Sequence, residues 1–234
     1  MTTQRDTFIG ELFNYAKEDK DIYLISVDMG APALDQWRTE LPDQFLSAGI
    51  SEQHAINFAA GMAAEGKKVY VYFMAAWAAR CFEQVRYSCG LGENPITILG
   101  NGVGLGYAPA GPAHEPNDDI AYMRSILGIE VITPCNLQIV KSLVSLMKPG
   151  LSENPLRTKP RIGIVSCGYM LGRSAKVMHK LMLDGHDCSV IDLWRVKPIE
   201  DRRLLSCLEP YETIVTIEEQ TLSGGFGSAV CEVL

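Results

Sequence analysis

Short β-branched runs, each followed by a stretch with helical spacing, recur along this chain, and that alternation limits its fold more than any other feature. "DIYLISVD" (residues 21–28), "KKVYVYF" (67–73), "PITILG" (95–100) and "IEVITP" (129–134) carry few charges inside them. Such runs suit parallel strands buried on both faces. Residues 7–17 place Phe8, Ile9, Leu12, Phe13 and Ala16 at helical intervals. A helix capped by Ser51 repeats Ile56, Ala59, Ala60 and Ala63 on one face, and residues 76–88, 118–127 and 137–147 read as further helices. "MGAPALDQW" reads as a turn through Gly30 and Pro32. The expected fold class is α/β, a doubly wound and mostly parallel sheet with helices on both faces.

The pattern pauses at "KPGLSENPLRTKP", whose Pro, Gly and polar residues mark a linker. It then restarts with the strand "RIGIVSCG", a helix over 171–183, the strand "CSVIDLW", a short helix near Asp201, the strand "ETIVTIEE" and a helix opening at "SGGFGSAVCEVL". The expected organisation is therefore a first doubly wound domain over 1–148, a linker over 149–160 and a second over 161–234. The sequence stops within a helical pattern, so the second domain is expected to be incomplete.

Composition removes several function classes. Net charge is −7 with no basic block, which argues against binding nucleic acid or an acidic membrane. The seven cysteines are scattered and form no CxxC pair, the pattern of a reduced, cytoplasmic protein. No apolar run approaches membrane-spanning length, and no spacing suggests zinc. His179 and His186 stand in no motif and read as surface or packing residues.

"GISEQHAINFAAGMAAEGKKVYV" holds the chemically informative carboxylate, Glu52, at the mouth of an alanine-rich helix. Read alone, it is either a first-turn glutamate favoured by the helix dipole or a carboxyl group in an apolar crevice, placed to exchange a proton with a ligand. Four segments in order then carry a resemblance. They are the Glu52 stretch, "FMAAWAARCFEQVRYS", "GLGYAPAGPAHEPNDDIAYMRSILGIEVITPCN", and the pair "RIGIVSCG" and "TIEEQTLSGGFGSAV". Together they resemble the pyrimidine-binding and C-terminal domains of thiamine-diphosphate enzymes of the transketolase and 1-deoxyxylulose-5-phosphate synthase group.

The resemblance implies a role for each matched residue. Glu52 matches the family glutamate that hydrogen-bonds the aminopyrimidine N1′ and so controls the proton on the cofactor. Trp77 aligns with the aromatic residue that stacks on that ring, or it is a core aromatic. Arg80 and His54 match the synthase version of these helices, or are a solvated arginine and a packing histidine. Met74 lines the pyrimidine pocket or fills core. Asp28 lies near cofactor or substrate, or caps a turn. His114 matches the substrate-loop histidine, or orders its loop. The expected catalytic residues are thus Glu52 and His114, and the expected cofactor-binding residues are Glu52, Trp77, Arg80, Met74, Asp28 and His54, with no metal ligand in this chain.

Two departures refine the expectation. The GDG motif with which such enzymes hold Mg²⁺ and the diphosphate is absent. A diphosphate-binding, transketolase-like partner subunit is therefore expected to supply that half in an α2β2 heterotetramer, with thiamine diphosphate between the chains. In the substrate loop, Ala110 stands where transketolases carry an Asp that contacts a sugar hydroxyl, and losing such a contact in a dry site alters selectivity strongly. The leading expectation is a split transketolase-like subunit that transfers a two-carbon ketol unit between sugar-derived small molecules. An acyloin-forming enzyme, the β subunit of a 2-oxoacid dehydrogenase, and a non-catalytic scaffold subunit remain as alternatives.

Overall fold

The computed structural model describes residues 3–146 and 161–234. The expected linker and the end of the 137–147 helix lie outside the described residues. Chain order begins with α1 (Gln4–Glu18), β1 (Ile22–Ser26), α2 (Pro32–Glu40), β2 (Phe45–Ser47), α3 (Glu52–Ala64) and β3 (Lys68–Met74). A 3-10 stretch (Ala75–Cys81), the short α4 (Phe82–Gln84) and a π-helical stretch (Val85–Leu91) lead to β4 (Ile96–Asn101). A long loop then reaches α5 (Asp119–Arg124), β5 (Val131–Ile132) and α6 (Leu137–Leu146).

Strands β1 to β4 form one parallel sheet in the order β2-β1-β3-β4. Alternation along β3 sends Val69, Val71 and Phe73 to one face and Tyr70 and Tyr72 to the other, the two-residue period of a pleated strand. On the first face they meet Ala55, Ile56, Ala59 and Ala60 of α3, with Cys81, Val85 and Ile126. The small alanine side chains let α3 lie close to the sheet. On the second face Ile22, Leu24 and Tyr72 pack with Ile9, Leu12, Phe13 and Ala16 of α1 and with Leu34 and Trp37 of α2. The buried Trp37 indole donates to the Ile9 carbonyl at 3.2 Å, so its polar atom is satisfied.

The second unit comprises β6 (Ile162–Ser166), α7 (Met170–Leu183), β7 (Cys188–Asp192), β8 (Arg195–Lys197), α8 (Asp201–Leu208), β9 (Thr213–Ile217) and α9 (Phe226–Cys231). Its parallel sheet has the order β7-β6-β9. Val165, Ile191, Leu193, Leu204, Phe226 and Val230 form its core, which also takes Ile120 from α5 of the first unit.

Three expectations are corrected. "MGAPALDQW" contains the start of α2, because Pro32 opens the helix at a position where its missing N–H costs nothing and Leu34 and Trp37 bury one face. The segment read as a regular helix over 76–88 changes through 3-10, α and π geometry. "IEVITP" joins neither parallel sheet: β5 pairs antiparallel with β8 and so stitches the two units together.

Candidate active site

Parallel sheets gather the loops at the carboxyl ends of their strands. Ligands bind there where successive connections leave the sheet in opposite directions. In the first sheet that point lies between β1 and β3, since the chain runs from β1 outward to β2 and then crosses back to β3. Asp28 follows β1, Glu52 follows β2, Trp77 and Arg80 follow β3, and His114 lies on the loop after β4. Residues far apart in sequence therefore all leave the same, carboxyl end of the sheet.

Glu52 is the first residue of α3 and is buried. The helix puts it there because Ala55, Ile56 and Ala59 anchor the same face in the core. Arg80 donates from a terminal guanidinium nitrogen to Glu52 Oε2 at 3.2 Å, and the partners differ sharply in exposure, 51% for Arg80 and 5% for Glu52. The same guanidinium lies over the Trp77 ring, 5.2 Å from its centroid. His114 meets Trp77 edge-on, with ring centroids 5.3 Å apart and planes at 67°. His114 Nδ1 is buried and has no hydrogen-bond partner among the described residues. Glu52, Arg80, Trp77 and His114 thus form one continuous cluster.

The other candidates stand differently. Met74 is half-buried at the end of β3, beside the cluster in sequence. Asp28 is exposed and holds a φ of 41°, a left-handed conformation tolerated by short polar side chains. His54 is not brought into the cluster: it is exposed and stacks on Phe58, 5.8 Å away at 22°. The residue reading passed over Cys81, whose thiol burial, followed by the nearby Glu52 carboxylate, pushes up to about 12. Its signal was the apolar helical spacing of Cys81, Val85 and Cys89. The reading also passed over Asp119 and Gln220, which join the two units: Gln220 Nε2 donates to Asp119 Oδ1 at 2.9 Å.

A buried carboxylate, an aromatic face and an orphaned imidazole nitrogen fit a flat, hydrogen-bonding heterocycle. They do not fit a metal-diphosphate group, and no cluster of three or more His, Cys, Asp or Glu suited to a metal occurs among the described residues. The fold and this cluster define an α/β chain with a buried carboxylate, an arginine, an aromatic ring and a histidine gathered at a sheet switch point. It belongs to the transketolase family: residues 3–149 match the transketolase pyrimidine-binding domain and residues 153–234 the transketolase C-terminal domain.

Individual relatives agree with that family. One subunit of the apulose-4-phosphate transketolase of Phocaeicola vulgatus is 29% identical, over all of this chain and 84% of its own length. 1-Deoxy-D-xylulose-5-phosphate synthase of Synechococcus sp. strain WH7803 is 32% identical over 86% of this chain, which spans only 35% of that enzyme. Among solved structures, a split-gene transketolase described as an inactive beta4 tetramer superposes with a TM-score of 0.84 at 24% identity, over 99% of this chain and 83% of the other. A Pichia stipitis transketolase complexed with sedoheptulose 7-phosphate gives 0.76 at 17% identity, over 97% and 43%. At these identities the two structures establish the fold.

Proposed function

We propose that this chain is the pyrimidine-side subunit of a split, thiamine-diphosphate-dependent transketolase that moves a two-carbon ketol unit between sugar-derived substrates in the cytoplasm. The observation that carries the proposal is the placement of Glu52: a buried carboxylate at a sheet switch point whose partner is a half-exposed arginine. A diphosphate-binding partner subunit would hold Mg²⁺ and the phosphates, in an α2β2 assembly. The Phocaeicola vulgatus relative, itself one subunit of a transketolase, supports an arrangement of more than one chain.

When bound, thiamine diphosphate supplies a nucleophilic carbon and an electron sink for cleaving the bond beside a ketose carbonyl. In this chain, Glu52 holds and returns the proton at the pyrimidine nitrogen. The apolar wall of α3 keeps water from that exchange, which strengthens the hydrogen bond. Trp77 presents a ring face for stacking. A planar ring held by Glu52 and Trp77 would compete with the Arg80 guanidinium for both and displace it outward. Its exposed side chain then stands at the mouth, suited to an anionic substrate group. His114 offers its unpaired nitrogen to a substrate hydroxyl or carbonyl and passes protons near neutral pH. Met74 and Asp28 would border the cofactor from the ends of β3 and β1, and His54, exposed on α3, would face the partner subunit.

The test is reconstitution. The chain is mixed with a transketolase-like chain carrying the GDG motif, thiamine diphosphate and Mg²⁺. Ketose cleavage is then assayed across sugar phosphates, beginning with apulose 4-phosphate. Two-carbon transfer that requires both chains supports the proposal. A mixture that binds cofactor yet cleaves no ketose refutes it in favour of a scaffold role.

A further inference from the structure

His114 lies on a loop of 17 residues between β4 and α5, residues 102–118. The loop has little regular structure, with two short 3-10 turns at Ala108–Ala110 and Pro112–His114. Its own turns and the Asn101 Nδ2 donation to Tyr107 Oη at 2.9 Å hold its first half, and the second unit holds it at both ends. Thr221 N–H donates to the Asn117 carbonyl at 2.8 Å, three residues from His114. Gln220 Nε2 donates to Asp119 Oδ1 at 2.9 Å, where the loop enters α5. At the other end of the loop, Gly104 holds a φ of 55° against the Glu219 side chain, and a Cβ there would collide with Glu219 Oε2. Glu219, Gln220 and Thr221 are consecutive, so one turn after β9 touches the His114 loop at both ends.

That turn is itself braced. Glu218 Oε1 accepts from the Gly227 N–H at 2.9 Å, which ties the exit of β9 to the first turn of α9. Ser228 Oγ accepts from the Gly224 N–H at 3.0 Å. Arg124, next along α5, donates to the Gly224 carbonyl at 3.2 Å and pairs with Glu232. A braced turn that holds a loop built from short turns, near its His114 end, helps set where the loop's side chains stand.

We propose that Gln220, acting through Asp119 and the loop, is a positioning residue for His114, so that the second unit sets the geometry of a site it does not itself line. The proposal rests on the ketol-transfer reading for its kinetic consequence; its structural consequence stands apart from that reading. Misplacing a reacting group by about 1 Å costs on the order of a hundredfold. Gln220→Ala should therefore lower kcat of the reconstituted enzyme by about ten- to a hundredfold, while the Kd for thiamine diphosphate, to which His114 is not assigned, stays within about twofold. Asp119→Asn keeps an acceptor for Gln220 and should retain wild-type kcat, whereas Asp119→Ala should match Gln220→Ala.

Two readouts decide the matter. The first is a double-mutant cycle: residues acting as one unit are not additive, so Gln220→Ala should add no further loss to a His114→Ala enzyme. The second needs no activity. Acrylamide quenching of Trp77 in the cofactor-free chain, isolated by difference from Trp77→Phe, should rise in Gln220→Ala toward the value for His114→Ala, because the imidazole no longer covers the indole. Full turnover by His114→Ala would overturn the role of His114 and this proposal with it. An impaired His114→Ala enzyme beside wild-type quenching in Gln220→Ala, or additive losses in the cycle, would overturn the anchor alone.

Discussion

Glu52 and Arg80 are an ion pair of unequal burial, and the inequality matters more than the pair. Removing one partner of a buried pair leaves an uncompensated charge; in the proposed site, the exposed arginine would give up the carboxylate to a ligand that takes its place. Glu52→Gln keeps the shape and a hydrogen-bonding oxygen for Arg80 but no longer exchanges a proton. The expected outcome is an unchanged urea midpoint and a turnover reduced by about 10²- to 10⁴-fold, read by denaturation and steady-state assay of the reconstituted enzyme. Asp119 makes a separate prediction. Burial raises its pKa from 3.8 to about 6 against the opposing hydrogen bond from Gln220. A carboxyl group whose folded value lies above its unfolded one stabilises the fold fully below the unfolded value. It loses that contribution as pH rises through the folded value. Between pH 4 and 6 the wild-type chain should therefore lose roughly 2 kcal/mol from this group. In Asp119→Asn that part of the slope should vanish, as urea midpoints measured across the window would reveal. An identical slope in the two chains would contradict the assignment.

Among the elements, the irregular segment from Ala75 to Leu91 carries Trp77 and Arg80 and a close backbone approach. Its π-helical part brings Gly90 against the turn after α5: a Cβ there would stand 2.5 Å from the Leu127 carbonyl oxygen and 3.1 Å from Ile126 Cγ2. Backbone cannot give way as a side-chain end can. Gly90→Ala should cost about 1–3 kcal/mol by overpacking, measured as a lower urea midpoint with the slope unchanged. The strands and α3 were legible in the sequence because β-branched runs and alanine spacing reflect burial directly. The non-helical turns within Ala75–Leu91 were not, since an apolar helical period looks the same until Trp77 and Arg80 are pulled toward Glu52. Strand β2 has three residues, too few for a pattern. Strand β5 looked like a sheet strand because its apolar residues serve a two-stranded bridge to β8 equally well. The site was legible residue by residue only through the resemblance. Its convergence required the sheet order, which brings Glu52, Arg80 and His114 together from three separate connections. Asp119 and Gln220 carried no local signal, because their partnership spans 101 residues.

For the whole molecule, the two units are joined by pairs made before and after the expected linker. Glu130 pairs with Arg195 at 2.6 Å, Thr133 N–H donates to the Trp194 carbonyl at 2.7 Å, and Cys135 donates to Asp192 Oδ2 at 2.9 Å. On the opposite side, Ile50, Phe58, Tyr87 and Leu91 are exposed on α3, its approach and the π-helical stretch, which Ser88 and Asn57 tie together by a hydrogen bond of 2.7 Å. Exposed aromatic and aliphatic groups of this kind suit contact with another chain, and the proposed two-chain assembly predicts that the partner covers them. The most direct measurement is a crystal structure of this chain assembled with its diphosphate-binding partner, thiamine diphosphate and Mg²⁺. The account predicts a Glu52 carboxylate oxygen within hydrogen-bonding reach of the pyrimidine N1′, the ring against Trp77 and the Arg80 guanidinium displaced from both. Glu52 still paired with Arg80 while the pyrimidine ring lies elsewhere would contradict it.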